Sequence, residues 1–383
     1  MQTPRVFRDV ISQPEAVTEL LRELNKETDV HHAWLFTGPP GSGRSEIALA
    51  FAAALVCEAG GCGICNACQM VSVGNHPDVQ VLNTERVQIS IDEVAEFISR
   101  SLQMPAIANY RIMIVEDADR MSERTSNLLL KSLEEPPRGT IWMLCAPSEA
   151  DLLPTIRSRV RRIMLKVPSV EEVANLLMEK YGVDEKLALQ SAANAQSHVG
   201  MARRLATNST ARDRRRQALL SVLSIMDIPS ALAASAALLR LAESDGAQLT
   251  AELDEQEKSE LLARLGVSAD GKMTPATRSQ IKKLEEAQKR RATRSKRDGL
   301  DRVFVDLMGL YRDVLTIQLG SGQSLINPDL EVEIRALAKD ITQAQAIHAI
   351  EKIQQVRYRM DRNVRENYLL DSLAVTLRRK VRR

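Results

Sequence analysis

HAWLFTGPPGSGRSEIALAFAAALV, residues 32–56, decides the fold. HAWLFTG is a short apolar run ending at glycine, which predicts a buried strand. GPPGSGRS, residues 38–45, follows and fits the phosphate-loop pattern G-x-x-x-x-G-K-[ST] at every defined position except the lysine, where Arg44 stands. A helix-like run comes next, so strand, glycine loop and helix occur in the order a nucleotide site requires. In such a loop Gly38, Gly41 and Gly43 let backbone amides reach phosphate oxygens, the helix adds its positive end, and the Ser45 hydroxyl would ligate Mg²⁺. Arg44 alters this chemistry. A lysine is a compact point charge that reaches between the β- and γ-phosphates, whereas a guanidinium is planar, bulkier and prefers bidentate contacts. Two readings stand for ATP and Mg²⁺ here, a loop that still binds nucleotide and a degenerate one, beside the plainer reading of a glycine-rich turn.

Outward from this loop, β-like runs recur at VQVL (79–82), YRIMIVED (110–117), TIWMLCA (140–146) and RIMLKV (162–167), with helix-like runs between them. That alternation predicts an α/β, P-loop NTPase-like domain with a parallel sheet covered by helices on both faces. Ser90 with Glu93 and Ser169 with Glu172 each fit the capping box at a helix start. The run YRIMIV ends in Glu116, Asp117, Ala118 and Asp119. These lie where a P-loop ATPase needs one carboxylate for Mg²⁺ and another to orient water. The usual Asp-then-Glu order is inverted, which moves both carboxylates by about a methylene, on the order of 1 Å. An acidic turn capping the strand is the alternative.

Past Pro168 the strand signal ends. VEEVANLLMEKYG and DEKLALQSAANAQ read as two short helices, and from about 210 everything reads as helix. The expected organisation is an α/β domain over 1–167, a helical lid over 168–210 and an all-helical domain over 211–383. The basic run KRRATRSKR (289–297) adjoins an acid-rich part of the same stretch, so a solvated helix face competes with DNA proximity.

Cys57, Cys62, Cys65 and Cys68 form C-x4-C-x2-C-x2-C in a glycine-rich segment. Four thiolates on so short a loop can wrap one tetrahedral ion, and zinc in a closed structural site is the expected occupant. An iron–sulfur cluster is the rival, although Gln69 rather than proline follows the last cysteine. Cys145, inside an apolar run, reads as a small buried hydrophobe.

Composition excludes several classes. The net charge of +2, from 52 basic and 50 acidic residues, gives no global field toward nucleic acid or an anionic membrane. No run approaches the roughly 18 uninterrupted apolar residues of a membrane span, and Met1 to Val10 holds no apolar segment, so a cytoplasmic protein is expected. Cysteines crowded into one loop are metal-site spacing rather than a secreted disulfide framework.

Taken together, the phosphate loop, the cysteines placed after its helix, GNHPD (74–78), NLLLKSLEEPP (127–137) and IRSR (156–159) resemble the clamp-loader AAA+ proteins of bacterial replication. The resemblance covers about 5–210 well and the remainder only in helical character. It implies that IRSR matches the family's Ser-Arg-Cys motif, with Val160 in place of the cysteine. Arg159 would then be an arginine finger that neutralises phosphoryl charge in a neighbouring subunit's ATP site. A surface or ion-paired arginine among Arg157, Arg159, Arg161 and Arg162 is the alternative.

Within the family, the resemblance sets this chain apart from the gamma/tau motors by three defects. Arg44 replaces lysine, the apolar Cys145-Ala146-Pro147 stands at a polar sensor position, and Gly200 takes the place of a sensor arginine, with Arg203 nearby. It therefore implies a finger-donating subunit with weak or absent ATPase activity of its own. Such a subunit would assemble through a helical collar with gamma/tau and delta subunits into a hetero-oligomeric ring that loads a sliding clamp onto primed DNA. A self-sufficient motor using Arg44, Ser45 and Glu116 or Asp117 is the first rival. A zinc-dependent nucleic-acid module is the second, although CEAGGCGICNACQM carries no basic or aromatic side chain.

Overall fold

All five residues of the first strand, β1 (Ala33–Thr37), are buried, as a central strand covered on both faces must be. In the computed structural model, which describes residues 3–25, 30–264, 275–362 and 364–379, the other strands are β2 (Val79–Leu82), β3 (Arg111–Val115), β4 (Thr140–Ala146) and β5 (Arg161–Met164). Their order is β2-β3-β4-β1-β5, and every neighbouring pair is parallel. The strands expected from the sequence are all present, within a few residues at their ends. With the phosphate loop leaving the carboxyl end of β1 and helices on both faces, this is a P-loop NTPase sheet of the AAA+ kind.

The helices are α1 (Pro14–Leu24), α2 (Arg44–Val56), α3 (Asn66–Ser72), α4 (Ile91–Ser101), α5 (Glu123–Glu134), α6 (Pro154–Arg157), α7 (Val170–Tyr181), α8 (Glu185–Asn194), α9 (Val199–Thr207), α10 (Ser209–Leu223), α11 (Ile228–Arg264), α12 (Pro275–Leu319), α13 (Glu331–Asp340), α14 (Gln343–Asp361) and α15 (Glu366–Thr376). Both expected capping boxes form. The Ser90 hydroxyl accepts from the Glu93 amide while Glu93 accepts from the Ser90 amide, and Ser169 and Glu172 do the same at the start of α7.

Strand alternation divides the core into two layers. Trp34, Phe36, Ile112, Ile114, Ile141 and Met143 face one cluster with Ile47 and Phe51 of α2. Leu35, Met113, Val115, Trp142 and Leu144 face the other with Phe97 of α4 and Leu129 of α5. Parallel pairing of β3 with β4 and of β4 with β1 sets the carboxyl ends of these strands side by side, where loops carry function in such sheets.

The chain divides into two compact units, Met1–Lys180 with Ser197–Met201, and Tyr181–Gln196 with Ala202–Arg383. The segment 168–210, expected as a lid, is thus shared between them. The second unit is helical around Leu219, Phe304, Leu307, Val314, Ile353 and Leu373. It contains a buried polar network in which Arg215 bonds Asp306 and Asn327, and Asp313 accepts from the amides of Ile326 and Asn327. Much of the basic run at 289–297 is ion-paired, Arg291 to Asp254 and Glu257 at 2.7 Å each and Lys296 to Glu243 at 2.8 Å. Among the described residues no helix is long and apolar enough to cross a membrane.

Candidate functional site

The phosphate loop starts where β1 ends. The Gly38 amide donates to the Pro147 carbonyl beyond β4 at 3.2 Å, and Gly43 caps α2 from the left-handed region at φ 86°. Gly41 has φ 88°, and a Cβ there would lie 2.5 Å from the His198 Cα and 2.6 Å from its Cγ, so no larger residue fits without displacing His198. Gln13, buried, anchors the loop from outside. Its amide donates to the carbonyls of Ser42 (3.3 Å) and Lys166 (2.7 Å), and its oxygen accepts from the Lys166 amide. Neither His198 nor Gln13 carries a sequence signal, since each acts through tertiary contact alone.

Arg44, the first residue of α2, turns its guanidinium back into its own loop. Nη1 donates to the Gly38 carbonyl, and Nη2 lies 4.0 Å from Asp117 Oδ1. Only 13% of the side chain is exposed. Ser45, whose hydroxyl is expected to meet Mg²⁺, is the second residue of α2, next to Arg44. From β3, Glu116 and Asp117 reach this edge, with Asp117 in the left-handed region at φ 48° and also 3.3 Å from Arg120. Asp119 is tucked behind. Burial, and then the Asp117 charge, push its carboxyl above the usual range, and its buried Oδ1 has no hydrogen-bond partner among the described residues. At the end of β4 the Cys145 thiol is buried and donates to the Arg44 carbonyl at 3.7 Å. Burial raises its pKa, so it offers a γ-phosphate no charge. The structure therefore gathers Gly38, Gly41, Gly43, Arg44, Ser45, Glu116 and Asp117 at one edge, with the cationic position already engaged by acceptors of the same chain.

Arg159 stands at the opposite edge. It precedes β5 by two residues, and the β5 register sets Arg161 beside Trp34 near the start of β1, whereas the phosphate loop follows Thr37. At 3.3 Å per residue the strand rises about 10 Å from Trp34 to Thr37. The Arg159 guanidinium donates to the Thr155 carbonyl (2.6 Å) and the Ser158 hydroxyl (3.0 Å) and pairs with Glu134 at the end of α5. Its side chain remains 32% exposed. Arg161 pairs with Glu19 and Glu23 and lies over the Trp34 ring, and Arg162 pairs with Glu149. Glu134, from the NLLLKSLEEPP run, is thus the acidic residue that steadies Arg159.

The four cysteines converge. Their sulfurs all lie within 4.8 Å of one another, with Cys57–Cys62 and Cys57–Cys65 at 3.7 Å. A tetrahedron with metal–sulfur bonds of about 2.3 Å has sulfurs about 3.8 Å apart, so the donors fit one ion. Backbone amides supply the outer layer, from Cys62 to Cys57, Gly63 to Cys68, Cys65 to Cys62 and Cys68 to Cys65, at 3.4–3.5 Å. Burial pushes the Cys57 thiol up, but the amides of Cys62, Gly61 and Ala59 outweigh it and bring it down to about 6. The loop carries the N-terminal segment: the Gly61 carbonyl accepts from the Val6 amide, and a Cβ at Gly61, φ 103°, would lie 2.6 Å from the Val6 side chain.

GNHPD proves to be a clamp. Asp78 is fully buried, and its carboxylate accepts from the amides of Ala106 (2.6 Å), Ile107 (2.8 Å) and Ala108 (2.9 Å), with Arg111 at 3.6 Å. Burial works to raise its pKa, but the three amides outweigh it and hold the carboxyl below the usual range.

Comparison with known proteins finds similarity to subunits of DNA polymerase III. Residues 12–169 match the family described as DNA polymerase III, delta subunit. A DNA polymerase III subunit delta' from Pseudomonas aeruginosa is 36% identical over 170 residues, covering 41% of this chain and 52% of that protein. A subunit delta' from Bacillus subtilis is 24% identical over 368 residues, covering 95% and 96%. The DNA polymerase III subunit tau of Escherichia coli is 30% identical over 200 residues, 50% of this chain and 31% of that one. The chain thus spans about half of the Pseudomonas relative and a third of tau.

Proposed function

We propose that this chain, a relative of the delta-prime and gamma/tau subunits, is the delta-prime subunit of a bacterial clamp loader and lends Arg159 to the ATP site of a neighbour. The observation that carries this reading is the position of Arg159 before the start of β5, at the end of the sheet opposite the chain's own phosphate loop. An arginine so placed cannot serve its own nucleotide but is partly exposed for another. Arg44, folded onto Gly38 and Asp117, supports the companion reading that ATP and Mg²⁺ are at most held passively here. Zinc bound by Cys57, Cys62, Cys65 and Cys68 would be structural, since four protein ligands leave no place for an activated water. The three-part organisation would set an AAA+ module and lid on a collar shared with gamma/tau and delta subunits in a cytoplasmic assembly. That assembly would carry the sliding clamp and primed DNA.

The test is DNA-stimulated ATPase of a reconstituted loader with this chain or its Arg159→Ala variant. The isolated chain is expected to be inert, and the variant to assemble while one neighbour's turnover falls by roughly a thousandfold or more. A gamma/tau-type motor is the second reading, supported by the tau match. Turnover by the chain alone, with no effect of Arg159→Ala in the assembly, would establish it instead.

A further inference from the structure

The second unit contains a basic and aromatic turn that the proposed role does not use. From Arg357 to Glu366 the sequence carries four arginines against Asp361 and Glu366. Two of the neighbouring ion pairs are internal. Arg357 is bound to Asp301 of α12 at 2.6 Å, and Glu366 to Arg297 at 3.5 Å. The Glu366 carboxylate is thereby neutralised, and Arg359, Arg362 and Arg365 are left exposed. The same two pairs bring the end of α14, the start of α15 and the basic stretch of α12 to one place.

Tyrosines stand among these arginines. Tyr358 is 57% exposed and Tyr368 66% exposed, two of only five tyrosines in the chain, and they lie within eleven residues. Neither ring belongs to the buried core of this unit, which holds Tyr311 instead. The Arg362 guanidinium lies over the Tyr358 ring, 4.2 Å from its centroid, so the ring is held in place.

We propose that this turn is a binding site for single-stranded nucleic acid, with Arg359, Arg362 and Arg365 on phosphates and Tyr358 and Tyr368 stacking unpaired bases. Charge alone would fit an acidic peptide as well. The exposed aromatic rings decide the assignment, because every base has a face to stack while a carboxylate-rich chain offers none. Unpaired bases are needed for that contact, so a duplex engages only the arginines.

The experiment uses the full chain and a fluorescein-labelled 20-nucleotide oligothymidine, read by anisotropy across a salt series. Tyr358→Ala with Tyr368→Ala is expected to weaken binding roughly tenfold or more at unchanged salt slope. Arg359→Ala with Arg362→Ala should lower the slope by about 1.4, or 0.7 for each phosphate no longer neutralised. Tyr358→Phe with Tyr368→Phe keeps the rings and should bind as the parent does, which separates stacking from damage to the fold. Absence of binding by the parent chain overturns the proposal, as does binding that ignores all these changes. Equal affinity for a duplex, or preference for a poly-glutamate peptide, assigns the turn to another partner. None of these readouts depends on Arg159 or on an assembled loader.

Discussion

Replacing Asp78 by asparagine keeps the shape of the side chain and removes its charge, so the cost can be worked from its contacts. One carboxylate oxygen accepts from Ala106 and the other from Ile107 and Ala108. An asparagine amide has a single acceptor oxygen, so in either orientation an NH₂ group faces at least one of these donors. A lost hydrogen bond to a charged acceptor is worth about 1.5–3 kcal/mol, and the surviving ones fall toward the neutral value of about 1 kcal/mol. The buried Arg111 also loses its carboxylate partner. The sum is about 3–5 kcal/mol, the scale of breaking a buried ion pair. Both tryptophans, Trp34 and Trp142, are buried in the sheet of the first unit, so their fluorescence in urea follows that unit's unfolding. With an m-value of about 2 kcal/mol per M, the midpoint is expected to fall by about 1.5–2.5 M. The pH dependence has a defined sign. A carboxyl held below its usual range stabilises the fold above a pH of about 4 and loses that contribution as pH falls through its folded value. The parent chain should therefore lose its advantage over Asp78→Asn below about pH 4. A midpoint shift under about 0.5 M, less than about 1 kcal/mol, would refute the clamp.

The cysteine site should yield one zinc per chain by elemental analysis. Cys65→Ser should abolish it and, if about 3 kcal/mol is lost, lower the Tm of the first unit by about 6–12 °C. Arg44→Lys removes the guanidinium from Gly38 and Asp117 and should tighten binding of a fluorescent ATP analogue roughly tenfold, about 1.4 kcal/mol, read by titration. Gly41→Ala forces a Cβ against His198 in a left-handed backbone and should cost about 1–3 kcal/mol, measured by the same urea assay.

The sheet was legible because β1, β3 and β4 are buried on both faces and so read as nearly continuous apolar runs between turn signals, while the partly exposed β2 and β5 are marked by their spacing in the βα alternation. The capping boxes and the four cysteines were legible because their partners lie within a few residues. Contacts that join distant parts of the chain were not. Nothing in GNHPD announces that its aspartate will collect three amides from residues 106–108. The assignment of 168–210 to one unit or the other likewise depends on which side chains pack, since every helix there has an ordinary amphipathic pattern. The exposed tyrosines were invisible for a related reason: a tyrosine in a helix reads as core until its surroundings are known.

Arg44 and Arg159 are both partnered within the chain, yet their pairings have opposite consequences. Arg44 is almost enclosed and donates to a backbone carbonyl of the loop it would have to serve, so a phosphate can reach it only by displacing a bond of the fold. Arg159 is one-third exposed, and Glu134 beside it is 46% exposed. An ion pair in that setting is worth only about 0.2–1 kcal/mol in water. A phosphoryl group with developing charge in a dry interface offers a guanidinium far more than that. On the finger-donor reading Glu134, Thr155 and Ser158 therefore keep Arg159 oriented at the subunit edge without holding it there. The same argument denies Arg44 an equivalent role, because its hydrogen-bond acceptor is the buried Gly38 carbonyl of its own loop, a backbone group that cannot be exchanged for a partner's.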